Sequence, residues 1–332
     1  MGARVSVVVP VYQEGPFIGQ LLDDLLSQDL RLGGGGEISL EVLVVDGGST
    51  DETVARVTAA RARDPRVRLL YNSARRSSAG RALGVEAATG DFVAIVDGHC
   101  RVPSQTLVRD MVELFERTGA DCLARPQPLV ASHPTRWTDA ICVARASAFG
   151  HNTTSTLYER AERPADPRSA GAMYRREVFE RVGSFDPSFD ACEDVDLNMR
   201  VLRAGLSCWT SPKLAVTYEP RRSLRALWRQ MFRYGVGWAR VQRKHSGAVT
   251  PGPVLAGAFV AGLPVLALTP LLPASLALAA SAPYALYAAL SLAFVARRPS
   301  LCLALPPVYF ALHAGLGAGY LWGLVAPWER AQ

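Results

Sequence analysis

The feature that most constrains this chain is where its charges stop. From Val254 to Ala296 there is no Asp, Glu, Lys or Arg, and from Pro299 to Trp328 again none, whereas charged residues are scattered through the first 245 or so positions. A helix on the surface of a water-soluble domain needs a polar face, and roughly 20 apolar residues cross a bilayer. The sequence therefore predicts a soluble domain followed by a membrane domain, with spans near 254–273, 275–296 and 301–326. Pro264, Pro270, Pro273 and Pro283 blur the first boundaries and allow a kinked or re-entrant segment. Arg240, Arg243 and Lys244 precede the first span, and Arg297 and Arg298 separate the second from the third. Three crossings with both basic segments in the cytoplasm satisfy this bias and put the carboxyl terminus outside.

The formal net charge of +6 does not indicate nucleic acid, because the arginines form no stripe beside a recognition motif. They cluster where they would meet anionic headgroups of membrane lipids. The six cysteines include no CxxC pair, which argues against a zinc ribbon or disulfide scaffold and fits a reducing cytosol. Arg4 leads straight into VSVVVPV, so no signal peptide is expected.

Along the soluble part, VSVVVPV (5–11), LEVLVVD (40–46), VRLLY (67–71) and DFVAIVD (91–97) read as strands. Helices are expected from Gly15 onward, after GGSTDET, and over 78–88. This alternation predicts an α/β domain with a mostly parallel sheet and helices on both faces. Such sheets bind ligands beyond the carboxyl ends of their strands, where Tyr12, Glu14, Asp46, Asn72, Asp97 and His99 gather. Past Pro103 the pattern loses regularity. Residues 151–169 read as a polar loop, 169–205 as helix, acidic turn and helix, and 224–245 as an amphipathic helix on a membrane surface.

In a strand, residues two apart share a side, so Asp97 and His99 suit a divalent cation if the extended geometry persists through Gly98. Read alone, they describe a polar strand end better than a metal site, with Asp97 capping a turn and His99 exposed. Five acids lie within 186–196 (Asp186, Asp190, Glu193, Asp194, Asp196), a cluster that also suits a helix amino terminus.

Taken together, VSVVVPVYQE, VLVVDGGSTDET, SSAGRALGVEAATGDFVAIVDGH, CEDVDL and QMFRY stand in the order seen in family 2 glycosyltransferases. The DGGSTDET and DGH variants most resemble the branch of bacterial succinoglycan-type exopolysaccharide glycosyltransferases. The resemblance covers roughly residues 4 to 240. It implies a GT-A domain with a Rossmann-like mixed sheet over 1–222; the charge pattern adds an interfacial segment over 223–250 and a membrane domain over 251–332. The resemblance further implies a nucleotide-sugar donor, usually a UDP-sugar, and a divalent cation, Mn²⁺ or Mg²⁺. Pro10, Tyr12, Glu14 and Asp46 match positions bordering the nucleoside, although Gly47 replaces the second acid of the usual D-D-G-S. Arg81 matches a donor-side arginine; Asp97 and His99 match the D-x-D that meets donor and metal; Gly171 matches a glycine near the donor sugar. The E-D pair is Glu193 and Asp194, with Asp194 as general base, which implies inversion at the anomeric carbon. QMFRY matches Q-x-x-R-W, so that Gln230 and Arg233 would face the diphosphate and acceptor and Tyr234 a sugar ring.

A lipid-linked saccharide acceptor follows from the membrane location, and with it a multi-pass protein of the cytoplasmic membrane, its catalytic domain inside, alongside other polysaccharide-assembly proteins. Transfer onto polyprenyl phosphate and a catalytically silent scaffold are the rival readings. A nucleotidyltransferase fits less well, because no lysine-rich loop follows the first strand.

Overall fold

The computed structural model describes residues 2–150, 156–168, 171–246 and 250–328. They form two compact units, one of residues 2–128 with 156–219, the other of 129–150 with 220–246 and 250–328. Parts of the expected polar loop (151–155 and 169–170) lie outside the described residues, as does the junction at 247–249.

The first unit begins β1 (Arg4–Val11), α1 (Gly15–Leu26), β2 (Ser39–Asp46), α2 (Thr53–Arg63), β3 (Val67–Tyr71), α3 (Ser77–Ala87) and β4 (Phe92–Ile95). Runs of valine and leucine buried on both faces are what parallel strands between helix layers require, and β1 and β2 are buried along almost their whole length. β1 pairs in parallel with β2 and β4, and β2 with β3. One apolar layer joins α1 and α2 to one face of this sheet; a second joins α3 to the other. Val11 stands opposite Asp46, and Asp46 opposite Tyr71, so the polar ends of these strands share one rim.

The chain continues with β5 (Cys100–Arg101), α4 (Leu107–Thr118), β6 (Cys122–Ala124) and, in the second unit, α5 (Arg136–Ala146). Back in the first unit come β7 (Arg163–Pro164), β8 (Gly171–Arg175), α6 (Arg176–Val182), α7 (Glu193–Arg203), β9 (Cys208–Thr210) and β10 (Thr217–Tyr218). The sheet is mixed, in the order β3-β2-β1-β4-β8-β6-β9-β7, with β8 antiparallel to β4 and β6. Two expectations change here. Strand β8 opens the stretch from Gly171 that reads as helix, and α4 and β6 occupy the stretch past Pro103 that reads as irregular. Both strands have five residues or fewer, too short for periodicity to separate them from helix.

The second unit holds α5, α8 (Leu224–Lys244), α9 (Pro251–Ala267), α10 (Ala274–Ala296) and α11 (Leu305–Val325). Ser223 caps α8 by accepting a hydrogen bond from the Ala226 amide at 3.2 Å. The three expected spans become α9, α10 and α11. The first ends at Ala267, earlier than expected, and is followed by a 3₁₀ turn at Thr269–Leu271 that contains Pro270 and precedes Pro273. Two of these helices, α10 and α11, are long and apolar enough to cross a membrane; α9 is shorter, at 17 residues.

All six cysteines are free thiols. Burial, followed by the nearby Asp97 carboxylate, pushes the Cys100 thiol up to about 12, so it forms almost no thiolate at pH 8. Cys302 is exposed. A maleimide added to native protein at pH 7–8 is expected to label Cys302 first and leave Cys100 unmodified until denaturant is added; early labelling of Cys100 would contradict the buried position.

Candidate active site

Three carboxylates and one guanidinium meet where α3, the end of β4 and the start of α7 converge. Arg81, on α3, donates to Asp97 Oδ1 at 2.7 Å and lies 3.1 Å from Glu193 Oε1. Its guanidinium carbon also lies 5.8 Å from the Phe185 ring centre. The side chains of Arg81 and Glu193 are 12% and 7% exposed. Burial alone would lower the arginine pKa, but Glu193, Asp97 and Asp194 outweigh it and hold the guanidinium above its ordinary value. Burial raises Asp97, yet Arg81, His99 and Arg125 pull its carboxyl below the ordinary range. Glu193 goes the other way: burial, with the neighbouring Asp194 and Asp97 charges, lifts it despite Arg81. Arg81 is thus the charge that lets two acids coexist out of water.

The acidic loop is fixed to α3 by further bonds. Ser78 Oγ donates to the Phe189 carbonyl at 2.5 Å, and Arg76 lies 3.4 Å from Asp190. Cys192 precedes α7 with a positive φ of 61°, a sparsely populated conformation outside glycine, and so sets the direction in which the next two acids leave the backbone. Glu193 turns inward to Arg81. Asp194 is only half-buried, and one of its oxygens accepts from the Val195 amide at 2.9 Å.

The D-x-H pair departs from expectation. β4 ends at Ile95, and the Cys100 amide donates to the Asp97 carbonyl at 2.9 Å, so 97–100 is a turn and the extended geometry does not persist. Asp97 goes to Arg81. The Nδ1 of His99 lies 2.8 Å from Glu14 Oε1, and the ring packs edge-on against Tyr218 at 4.4 Å. With Nδ1 turned to the carboxylate, Nε2 is the ring nitrogen left for another partner. That Nε2 is buried and has no hydrogen-bond partner among the described residues. Gly98 makes the arrangement possible, since a Cβ there would come within 2.9 Å of Glu14 Cγ and 2.8 Å of Val11 Cγ1.

Along the rim, Pro10 is buried in β1 and Tyr12 is 54% exposed. Asp46 accepts from the amides of Gly48 and Ser49 at 3.0 and 3.1 Å. Gly48 has φ +84°, which favours glycine; Gly47 does not, and a Cβ there would meet only ordinary contacts, with Val11 O and Arg75. The missing second acid is therefore not forced by the backbone.

Gly171 has a packing role. A Cβ there would lie 2.6 Å from Asn198 Oδ1, while Asn198 Nδ2 and Tyr174 Oη donate to the Gly171 carbonyl at 3.0 and 2.8 Å. It joins the start of β8 to α7. Gln230, Arg233 and Tyr234 all lie on α8 in the second unit, where Gln230 Nε2 donates to Tyr234 Oη at 3.2 Å.

Arg125 is a residue that sequence reasoning missed. It is buried and donates to the Ile95 carbonyl at 2.9 Å. Burial pulls its guanidinium below the ordinary arginine range, against Cys100 and Asp97. Nothing in DCLARPQ marks it, because its partner is a backbone carbonyl on another strand.

The profile of glycosyl transferase family 2 matches residues 6–183, the segment that contributes most of this rim. The chain belongs to that family. It is 31% identical over 245 residues to the succinoglycan biosynthesis protein ExoA of Rhizobium meliloti, covering 72% of this chain and 70% of that one. It is 21% identical to a dolichyl N-acetyl-alpha-D-glucosaminyl phosphate 3-beta-D-2,3-diacetamido-2,3-dideoxy-beta-D-glucuronosyltransferase of Methanococcus voltae, over 72% of this chain and 74% of that one. Among solved structures, a mannosyltransferase of Pyrobaculum calidifontis in complex with GDP-Man and Mn²⁺ shares the fold at a TM-score of 0.61, with 22% identity over 98% of this chain and 88% of that one. The family 2 chain described here therefore has a GT-A-like mixed α/β domain.

Proposed function

We propose that this chain is an inverting glycosyltransferase that moves a hexose from a nucleotide-sugar, a UDP-sugar by family resemblance, to a lipid-linked saccharide at the cytoplasmic face of a membrane. Exopolysaccharide assembly is the setting that the succinoglycan relative supports. The Methanococcus relative, whose name describes transfer onto a dolichyl-linked sugar phosphate, supports the lipid-linked acceptor.

The observation that carries the reading is Arg81, held between Asp97 and Glu193. It ties the strand-end acid to the E-D pair and leaves Asp194 as the accessible carboxylate beside a fixed charge. In the transfer, the acceptor hydroxyl oxygen attacks the anomeric carbon and its proton passes to Asp194. The bond from that carbon to the diphosphate oxygen breaks from the opposite side, so configuration inverts.

The donor that a divalent cation would use is the orphaned Nε2 of His99; Asp97, whose Oδ1 is already held by Arg81, would add at most its other carboxylate oxygen. Among the described residues no three His, Cys, Asp or Glu are grouped to hold a metal, so the remaining ligands would come from diphosphate and water. When bound, the cation would neutralise charge on the departing nucleotide. Imidazole nitrogen favours Mn²⁺ over Mg²⁺.

The direct test is a screen of nucleotide-sugars for hydrolysis by the purified full chain with and without Mn²⁺. One donor class is expected to turn over with Mn²⁺ stimulation. His99→Ala should remove that stimulation, and Glu14→Ala should weaken Mn²⁺ affinity about 10–100-fold by freeing the imidazole. An unchanged Mn²⁺ response in His99→Ala would remove the ligand assignment.

A further inference from the structure

We infer that only α9 and α10 enter lipid, as a hairpin, while α8 and α11 lie together at the membrane surface, so that both ends of this unit stay on one side. The inference rests on the membrane part of the proposed function and replaces three crossings with two.

The reason is how α8 and α11 pack. Glycines at four-residue spacing on α11 face α8 in order along both helices. A Cβ on Gly315 would meet Trp228 and Met231 at 3.1 Å, one on Gly319 would collide with the Phe232 carbonyl, and one on Gly323 would lie 2.8 Å from Ala239 and 2.9 Å from Val236. Both numberings rise together, so the two helices are parallel and flush. Small residues at such spacing let backbones approach closely. At the far end, Arg243 donates to the carbonyls of Gly323 and Ala326 at 3.1 and 2.9 Å. Arg240 and Arg243 both lie 5.7 Å from the Trp328 ring centre. The two helices therefore run side by side, offset by roughly one turn.

α8 also carries Arg225, Arg229, Arg233, Arg240 and Lys244, spaced along one side. Its 21 residues span about 31 Å, close to the roughly 30 Å of bilayer hydrocarbon. If α11 crossed the bilayer, that row of cations would be carried through the whole hydrocarbon depth. Arginine is among the costliest residues to place there. The row fits anionic headgroups along a surface instead, and α11, bound to α8 over its length, stays with it.

α10 packs along no cationic helix; it meets α11 where Tyr287 Oη lies 3.1 Å from His313 Nδ1. Only Ser291 and Val295 are buried among its 23 residues, and Leu276, Leu278, Leu286 and Leu292 are exposed. Tyr284 Oη donates to the Phe259 carbonyl at 2.8 Å, fastening α10 to α9. The connecting turn is uncharged, with Leu271 81% exposed. Basic residues stand only at the two open ends, Arg243 and Lys244 before α9, Arg297 and Arg298 after α10. That is the charge pattern of a segment that enters and returns from one side.

The test is to express the full chain in bacteria with different epitope tags at its amino and carboxyl ends. Carbonate-washed membranes are then treated with protease, as inside-out vesicles and as spheroplasts. Both tags should be lost completely from inside-out vesicles and retained on spheroplasts. A carboxyl-terminal tag lost from spheroplasts while the amino-terminal tag is retained restores the third crossing and overturns the inference alone. Recovery of the chain in the carbonate supernatant, with α10 covered by a second copy, overturns both the inference and the membrane reading.

Discussion

Asp194→Asn should reduce kcat by about 10²–10⁴-fold, the usual contribution of a positioned general base, while nucleotide binding and melting temperature stay near those of the parent. Two observations set this expectation. Asp194 is half-buried and makes only a local hydrogen bond to the Val195 amide, so an amide can take its place without stranding a partner. Glu193, next to it, is turned inward to Arg81. Glu193→Gln should therefore behave differently, with lower stability and a smaller direct effect on proton removal. Measuring kcat, donor affinity and thermal midpoint for both variants separates the roles. If Asp194→Asn turned over normally, the base assignment would be lost, and the acid cluster would reduce to a helix amino terminus favoured by its dipole.

Arg81→Met should be the most destabilising single change at the site. It leaves the Asp97 and Glu193 carboxylates buried without their cation, and removing one partner from a buried charged set typically costs about 3–5 kcal/mol. At the size of this unit that corresponds to a fall of roughly 10 °C in thermal midpoint. The pH dependence has a definite sign. Glu193 is already lifted by burial, and without Arg81 both acids favour protonation more strongly. An acid whose folded pKa exceeds its unfolded value binds protons on folding, so the variant should recover stability as pH falls toward the ordinary carboxylate range and lose it as pH rises. The double variant Arg81→Met, Glu193→Gln should regain part of the loss, because one unpaired charge has been removed. Melting curves across pH 5–8 read all three effects. An Arg81→Met midpoint equal to the parent's would mean that water, not the guanidinium, satisfies these carboxylates.

Much of the first unit was legible because its signals are local. β1, β2 and β3 are short, mainly apolar runs with polar residues at or just past their carboxyl ends, and the structure places those ends within a residue or so of the sequence reading. β4 was read too long. Its apolar run suggested extension to Asp97, whereas a turn bond from Cys100 to Asp97 ends it at Ile95. β8 was invisible because five residues carry too little periodicity, and its identity comes from having β4 and β6 on either side.

By itself the sequence determined which residue types were present and in what order: the acids, the histidine, the arginine on α3 and the two long charge-free tracts. These follow from covalent order and from hydrophobic periodicity, which neighbouring residues settle among themselves. Tertiary structure alone decided the pairing. Arg81 meets Glu193, His99 turns from Asp97 to Glu14, Arg125 finds the Ile95 carbonyl, and α11 lies flush against a cationic helix. The physical reason is that a charge or an apolar face is satisfied by whatever the fold brings within a few ångströms, and residues distant in the chain meet only once the sheet has closed.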